Sequence, residues 1–234
     1  MLGFSTGCLF KHSLSIHEII GVIRATETDA IELNFGRVEE FINLSMSDLA
    51  KIKSEVSIFK KISIHAPFRN IRYDGNSSEL LSKLNVFALS IAAEYVVFHP
   101  DTIVNGEIIE LVLGNVAAIE NMDKNKIYGT NVGDLASLFE KMPSARFVLD
   151  LNHVYTLDKS MKLSRVLFEE YKSRIVSYHV SGYGGESDLH TMLSKTSAIL
   201  EAVPDKTILA IHEGTVSSIE QIQTEYNLVR GIFT

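Results

Sequence analysis

Residues 61–68 read KISIHAPF, and residues 146–153 read RFVLDLNH. Both segments are short apolar runs of strand length that end in a histidine or an aspartate. Similar runs recur along the 234-residue chain, separated by longer stretches with helical spacing. We predict eight strands, at Leu2–Thr6, Ala30–Asn34, Lys61–His65, Tyr95–His99, Val116–Asn121, Arg146–Asp150, Ile175–Val180 and Ile208–His212.

Amphipathic segments lie between these strands. In Ser77–Ala93, for example, Leu80, Leu84 and Ile91 recur at helical spacing after an N-cap serine. Alternating strands and helices imply parallel pairing through right-handed crossovers. We therefore expect residues 1–234 to form one (β/α)₈ TIM barrel, an α/β fold. An open doubly wound sheet is the alternative, but Gly-rich phosphate loops are missing. Further helices are predicted at Ser15–Ala25, Ser47–Val56 and Leu163–Lys172.

Composition narrows the class of protein. The chain is 46% hydrophobic and 22% charged, with a net charge of −7, as in ordinary globular proteins that bury a large core. The acidic balance makes duplex DNA a doubtful partner, because phosphate binding normally leaves a basic footprint. Cys8 is the only cysteine, which excludes an intramolecular disulfide. The sequence shows neither a secretion signal nor a membrane-length apolar run, so we expect a cytoplasmic protein without membrane contact.

Nearly every predicted strand ends in, or is followed by, a residue that can bind metal or transfer a proton. A barrel brings all eight carboxyl ends of its strands to one face, where such enzymes place their chemistry. Imidazole and carboxylate ligands without thiolates suit Zn²⁺, Mn²⁺ or Fe²⁺. Any one of these residues is more often a loop or satisfied polar group, so the inference depends on the whole set. Its members are Glu32, His65, His99, Glu120, Asn121, Asp150, His153, His179, Asp188, His190 and Glu213.

The remaining histidines serve as a comparison. We expect His12 and His17, near the start of the first helix, to be surface or capping residues. His212 precedes Glu213 and should face the opposite side of its strand, because strand side chains alternate. All three are therefore left out of the predicted site.

The ordered set of polar residues resembles the xylose isomerase-like barrels, and most closely their endonuclease IV (AP endonuclease family 2) branch. The resemblance spans nearly the whole chain through short motifs, including D-x-x-H at Asp150 and His153 and D-x-H at Asp188 and His190. It implies up to three ions, zinc first and manganese, iron or magnesium as alternatives. The implied ligand sets are His65, His99 and Glu120; Glu120, Asp150, His179 and Glu213; and His153, Asp188 and His190.

The sugar isomerase and epimerase branch resembles the chain through fewer residues. There, Glu120, Asp150, His179 and Glu213 would hold one ion, and Glu120 and Glu213 would act as the acid/base pair. The strand-two phrase DAIELNF is closer to this branch, so Glu32 is expected to bind substrate. Phe68 corresponds to an aromatic that enters DNA in the repair enzymes. With its neighbour Arg69, it is expected to bind substrate too.

Two enzyme functions follow from these residues. One is a metal-dependent phosphoesterase acting on a phosphorylated small molecule or nucleotide-type substrate, with Glu120 and Glu213 as catalytic residues. The other is a divalent-metal sugar isomerase or epimerase. A barrel that binds a ligand without turnover is a third possibility, which the complete set of ligand and acid/base residues disfavours.

Overall fold

Eight parallel strands close into a barrel in the computed structural model, which describes residues 1–185, 190–193 and 197–233. Each strand pairs with the next along the chain, and the last pairs with the first. This is the predicted (β/α)₈ barrel. The strands are β1 (Leu2–Ser5), β2 (Ala30–Asn34), β3 (Lys61–His65), β4 (Val96–Phe98), β5 (Ala117–Glu120), β6 (Arg146–Asp150), β7 (Ile175–Val180) and β8 (Leu209–His212).

All eight predicted strands are confirmed, and β2, β3, β6 and β7 have the predicted bounds. The others are shorter by one or two residues. In β4, Tyr95 and His99 lie just outside the strand. Tyr95 still contributes its carbonyl oxygen to a hydrogen bond from the Ile64 amide. Regular strand structure in β4 therefore ends at Phe98, one residue before His99.

Helices cover the outside of the barrel, and side-chain caps define where several begin. Ser15 and Glu18 form a reciprocal capping box before the first helix, as Ser45 and Asp48 do before the third. The predicted helix Ser77–Ala93 ends early, at Ser90, because Ala92 adopts a left-handed backbone with φ of 55°. The helices are α1 (Ile16–Arg24), α2 (Val38–Ile42), α3 (Met46–Val56), α4 (Ser78–Ser90), α5 (Gly106–Leu113), α6 (Val132–Lys141), α7 (Leu151–Leu157), α8 (Lys162–Tyr171), α9 (Ser197–Glu201) and α10 (Ile219–Arg230).

Alternation along the strands produces two apolar layers. Outward-facing residues such as Phe4, Ile64 and Phe147 are buried against the helices. A smaller cluster of Tyr95, Val97, Ala118 and Val148 packs separately from this main core. His212 belongs to the outer layer, where its Nε2 lies 2.7 Å from Glu225 Oε2 in α10. Its predicted orientation away from Glu213 is confirmed.

Within the described ranges, the longest helix is α4 with 13 residues. A membrane-crossing helix needs about 18–20 apolar residues. No described helix meets that requirement.

Gly3 tests how tightly β1 fits between its neighbours. A Cβ at this position would lie 2.7 Å from Ala30 Cβ and 2.8 Å from the Ala30 carbonyl oxygen. Replacing Gly3 with valine should lower the free energy of unfolding by about 1–3 kcal/mol, because the strands must separate. Urea unfolding followed by circular dichroism measures this change.

Gly21→Ala is the matched control. Gly21 lies within α1, and a Cβ added there would meet nothing within 4 Å. Alanine at this position should raise stability by up to about 1 kcal/mol through its higher helix propensity. Equal unfolding midpoints for Gly3→Val and the unchanged protein would contradict the close approach of β1 and β2.

Candidate metal centre

The carboxyl ends of the strands bring eight of the predicted metal-binding side chains together. They form three groups whose potential ligand atoms lie within 4.8 Å of one another in each group. Glu120 belongs to two of the groups, and so does Asp150. Asp188, the ninth predicted ligand, lies outside the described residues. The groups are His65, His99 and Glu120; Glu120, Asp150, His179 and Glu213; and Asp150, His153 and His190.

The first group has the dimensions of a coordination shell. Glu120 Oε2 lies 3.3 Å from His65 Nε2 and 3.2 Å from His99 Nε2, and the two nitrogens are 3.1 Å apart. Tetrahedral zinc with ligand bonds of about 2.0–2.1 Å separates its ligands by about 3.3 Å. His65 Nδ1 lies 3.0 Å from the Ala66 carbonyl oxygen, which can accept its proton and leave the Nε2 lone pair free. These three residues therefore fit a divalent cation.

The second group uses the other oxygen of Glu120. Glu120 Oε1 lies 2.8 Å from His179 Nδ1, which is 3.2 Å from Glu213 Oε2. Asp150 Oδ2 is buried, lies 3.5 Å from His153 Nδ1 and accepts no hydrogen bond within the described residues. Buried carboxylate oxygens are normally paired or bound to metal. The two carboxylate oxygens of Glu120 thus face different ligand groups, and Glu120 would be available to both.

Local structure explains the D-x-x-H spacing of the third group. Asp150 ends β6 and caps α7, where its Oδ1 accepts a hydrogen bond of 2.7 Å from the His153 amide. The cap places His153 on the first turn of the helix, beside Asp150. Its Nδ1 lies 2.7 Å from the Asn121 carbonyl oxygen, which leaves Nε2 for a ligand role. His190 approaches from the loop after β7, and its ring centroid lies 5.3 Å from that of His153.

Asn121, predicted among the strand-end residues, joins β5 to β6. Its side-chain oxygen accepts from the Asp150 amide at 2.8 Å, and its Nδ2 donates to the Asp150 carbonyl at 3.0 Å. The Asn121 side chain therefore continues the hydrogen bonding between β5 and β6 beyond the backbone pairs. Together with the bond from His153 to its carbonyl, this contact makes Asn121 a support for two members of the centre.

Burial and neighbouring charges shift the pKa values of residues in the centre, and a bound cation would change these shifts. Burial raises the pKa of Asp150 to about 8, opposed by the charge of His153. Burial by itself lowers the pKa of His153, but the charges of Asp150, Glu120 and Asp123 raise it to about 9. In the absence of metal, the Asp150–His153 pair therefore retains protons that a cation would displace.

Of three further residues of the centre, Glu213 and His190 have lowered pKa values, whereas His179 has a raised one. Burial favours a raised pKa for Glu213, but the charge and hydrogen bond of His179 lower it to about 2. Burial lowers the pKa of His190 to about 4, and the charge of His153 contributes further. For His179, burial is outweighed by Glu213, Glu32 and Glu120, which raise its pKa well above the ordinary value. Glu213 is therefore ionised at neutral pH, while His190 is neutral.

A cavity of about 740 Å³ opens over the centre, and Glu213 and His99 line it. The Phe68 ring stacks on His99, with centroids 4.6 Å apart. The guanidinium carbon of Arg69 lies 5.6 Å from the Phe68 ring and 5.9 Å from the Phe10 ring. Phe68 and Arg69, both predicted to bind substrate, therefore lie where a ligand in the cavity would meet them.

Arg37 and Phe10 also line this cavity and were not predicted from the sequence. Arg37 is joined to Arg69 by a parallel backbone bridge, so the two side chains start from adjacent positions. Its position three residues after β2 was the available signal, since loops after barrel strands form the active face. Phe10 follows a short 3₁₀ helix at Thr6–Leu9 and carried no comparable signal.

Glu32, predicted to bind substrate, is not among the described residues that line the cavity. It lies two residues before the end of β2 and is completely buried. Its Oε2 accepts a hydrogen bond of 2.9 Å from the Ser63 hydroxyl and lies 3.3 Å from His179 Nε2. Asn34, at the end of the strand, lines the cavity instead. The depth of Glu32 favours a supporting role over direct substrate contact.

The raised pKa values predict how the stability of the metal-free protein depends on pH. The ordinary values are 3.8 for Asp150 and 6.5 for His153, against about 8 and about 9 in the folded chain. Between about pH 7 and 9 the folded state thus holds protons that the unfolded state has released, so stability should fall as pH rises. Thermal unfolding in EDTA at several pH values measures the trend.

Asp150→Asn is the control, because it removes one of the two titrating groups while preserving size. Its unfolding temperature should depend less on pH over the same range. A wild-type unfolding temperature that stays constant or rises with pH in EDTA would contradict the proton retention described above.

Comparison with solved structures shows the same architecture in several enzymes. Endonuclease IV from Thermus thermophilus is 17% identical, with a TM-score of 0.69 over 99% of this chain and 98% of that one. D-psicose 3-epimerase from Clostridium cellulolyticum is 9% identical, with a TM-score of 0.68 over 99% of both chains. A xylose isomerase domain protein from Alicyclobacillus acidocaldarius is 9% identical, with a TM-score of 0.71 over 100% and 98%.

No protein-family model and no curated protein matches the sequence. At identities this low, the structural likeness establishes architecture and leaves the activity to be argued from the site. The chain has the fold of the xylose isomerase-like TIM barrels.

Proposed function

We propose that this chain is a metal-dependent phosphoesterase that hydrolyses a phosphorylated small molecule or a nucleotide-type substrate. The observation that carries the proposal is the sharing of Glu120 and Asp150 among three groups of potential ligands. Shared carboxylates hold neighbouring cations close together, which is the arrangement of multinuclear phosphoesterase sites. A one-metal enzyme does not require His65, His99, His153 and His190 as ligands.

The donor set favours zinc. Imidazole nitrogens and carboxylate oxygens without thiolates suit Zn²⁺, and also accommodate Mn²⁺, Fe²⁺ or Mg²⁺. When bound, such cations lower the pKa of water and neutralise charge on phosphoryl oxygens. Asp188 is proposed as a further ligand of the group that contains His153 and His190, on the strength of its D-x-H spacing alone.

Glu213 is the carboxylate best placed to act on substrate. It lines the cavity, its side chain is 12% exposed, and its lowered pKa keeps it ionised. We assign it the role of accepting a proton from the attacking water. Glu120, with 1% exposure, would hold cations and contacts His65, His99 and His179.

The two exposed arginines of the cavity lining, Arg37 and Arg69, define its mouth and favour a phosphorylated substrate. Arg37 and Arg69 both line it, and neither guanidinium forms an ion pair within the described part of the chain. Arginine binds phosphate through paired, charge-assisted hydrogen bonds. Phe68 offers an aromatic face for a sugar or a base. The cavity volume of about 740 Å³ suits a small molecule, and the net charge of −7 disfavours duplex DNA.

The decisive experiment combines metal analysis with a hydrolysis assay. Protein purified without chelators should contain more than one divalent ion per chain and should release phosphate from a panel of nucleotides and sugar phosphates. Glu213→Gln should keep its fold and the ions of the two groups that do not contain Glu213, but lose about 10²–10⁴-fold in kcat, as removal of a general base does. Glu169→Gln, an exposed residue of α8, should leave kcat unchanged.

Sugar isomerisation or epimerisation is the second candidate. Glu120, Asp150, His179 and Glu213 form one group that by itself could hold a single ion beside a sugar. The similar D-psicose 3-epimerase acts in that reaction class. Glu120 and Glu213 would then exchange a proton at carbon. One ion per chain, deuterium incorporation from solvent into a keto-sugar, and no phosphate release would replace the first proposal with this one.

The two arginines make a separate prediction about substrate affinity. Arg37→Ala and Arg69→Ala should each raise KM for a phosphorylated substrate by about 10- to 100-fold, since a hydrogen bond to a charged group contributes about 1.5–3 kcal/mol. The kcat should change much less, because no hydrogen bond or ion pair joins either side chain to a candidate ligand within the described residues. Steady-state kinetics separates the two parameters.

Arg165→Ala is the control for a lost positive charge, since Arg165 is exposed on α8. It should leave both KM and kcat unaltered. Wild-type KM values for Arg37→Ala and Arg69→Ala would remove the argument for phosphate binding at the mouth.

A further inference from the structure

A polar layer lies inside the barrel directly below the candidate metal centre. Glu32 pairs in register with Ser63, whereas Asn34 pairs with His65. Two strand residues rise about 6.6 Å, so Glu32 and Ser63 sit one step deeper than the metal-facing histidines. Ser177 stands two residues before His179 on β7 and accepts a hydrogen bond of 2.8 Å from the Tyr95 hydroxyl. The layer therefore forms a hydrogen-bonded floor.

Glu32 is the charged member of this floor and contacts the centre through one residue. It is completely buried, as is His179. Its Oε2 accepts from Ser63 Oγ at 2.9 Å and faces His179 Nε2 at 3.3 Å. The opposite ring nitrogen, Nδ1, faces Glu120 and Glu213. The imidazole of His179 thus stands between the floor and the candidate ligands.

We propose that Glu32 is a positioning residue that holds the Nε2 proton of His179 and so directs the Nδ1 lone pair at the metal centre. This inference depends on the metal-binding part of the proposed function and not on the reaction. With a cation bound beside Nδ1, the other neutral tautomer would point the Nε2 lone pair at the Glu32 carboxylate in the completely buried interior. That juxtaposition of two acceptors is unfavourable.

The chemistry of Glu32 differs from that of the groups that hold the other rings. His65 and His153 have backbone carbonyls as partners, and His190 has the hydroxyl of Ser181. These partners are neutral, whereas Glu32 places a carboxylate behind the imidazole. A carboxylate in this position orients a ligating histidine and increases its basicity. Of these four rings, His179 should therefore be the strongest nitrogen donor.

Metal affinity tests this role without any substrate. Glu32→Gln preserves size and an acceptor oxygen but removes the charge. We expect its dissociation constant for Zn²⁺, measured by competition with a chromophoric chelator, to rise about 10- to 100-fold, as is typical when the partner of a ligating histidine is changed. Stoichiometry at saturating Zn²⁺ should remain that of the wild type.

Glu225→Gln is the matched control. Glu225 is also completely buried and pairs with a buried histidine, His212, but on the outer face of the barrel. It should lower the unfolding temperature while leaving Zn²⁺ affinity within about twofold of wild type, a difference of about 0.4 kcal/mol by the affinity relation. Equal losses of affinity in both variants would attribute the effect to general destabilisation and overturn the assignment.

The tautomer can be read directly from the wild-type protein, which makes the test independent of any variant. Long-range ¹H–¹⁵N correlation of the zinc-loaded protein should show His179 protonated at Nε2, with Nδ1 shifted by metal. Protonation at Nδ1, or wild-type Zn²⁺ affinity in Glu32→Gln, would overturn the role of Glu32 alone. A wild-type protein that binds no divalent ion would instead refute the proposed function.

Discussion

The carboxylate of Glu120 is the interaction around which the candidate centre is organised. One oxygen contacts His65 and His99, and the other contacts His179. Its exposure is 1%. A carboxylate so deeply buried needs compensating positive charge, which protonated imidazoles or cations can provide. The arrangement of the centre follows from that requirement, because histidines near the ends of β3, β4 and β7 converge on one carboxylate.

Barrel closure makes this convergence possible and also makes it costly. Closure of the parallel strands gathers their carboxyl ends on one face, so residues far apart in sequence become neighbours. The same closure removes water from several carboxylates and imidazoles at once. Within the described residues, the apolar cluster around Tyr95 is small and shares the barrel interior with the polar residues Glu32, Ser63 and Ser177. Side-chain hydrogen bonds therefore help to hold the interior of the barrel together, whereas the outer layer is mainly apolar.

Much of this arrangement was predictable from the sequence because alternation and strand ends are local properties. Eight strands and the convergence of His65, Glu120, Asp150 and His179 follow from periodicity and from parallel closure. Depth within the barrel is different, since it depends on the register between neighbouring strands. Glu32 was placed at a strand end, although the pairing of Asn34 with His65 puts it one step lower. The mouth residues Arg37 and Phe10 depend on loop conformation, which apolar periodicity does not encode.

Asn121 has a consequence for how sequence change at the centre would be tolerated. Its side chain holds the backbone of Asp150, whereas its main-chain carbonyl orients the ring of His153. Any residue other than asparagine keeps that carbonyl, so the imidazole retains its anchor through mutation. The link between β5 and β6 would be lost, because the amide group that bridges the two strands belongs to the Asn121 side chain. Substitution of Asn121 would therefore weaken the support of Asp150 and leave that of His153, three residues further along, in place.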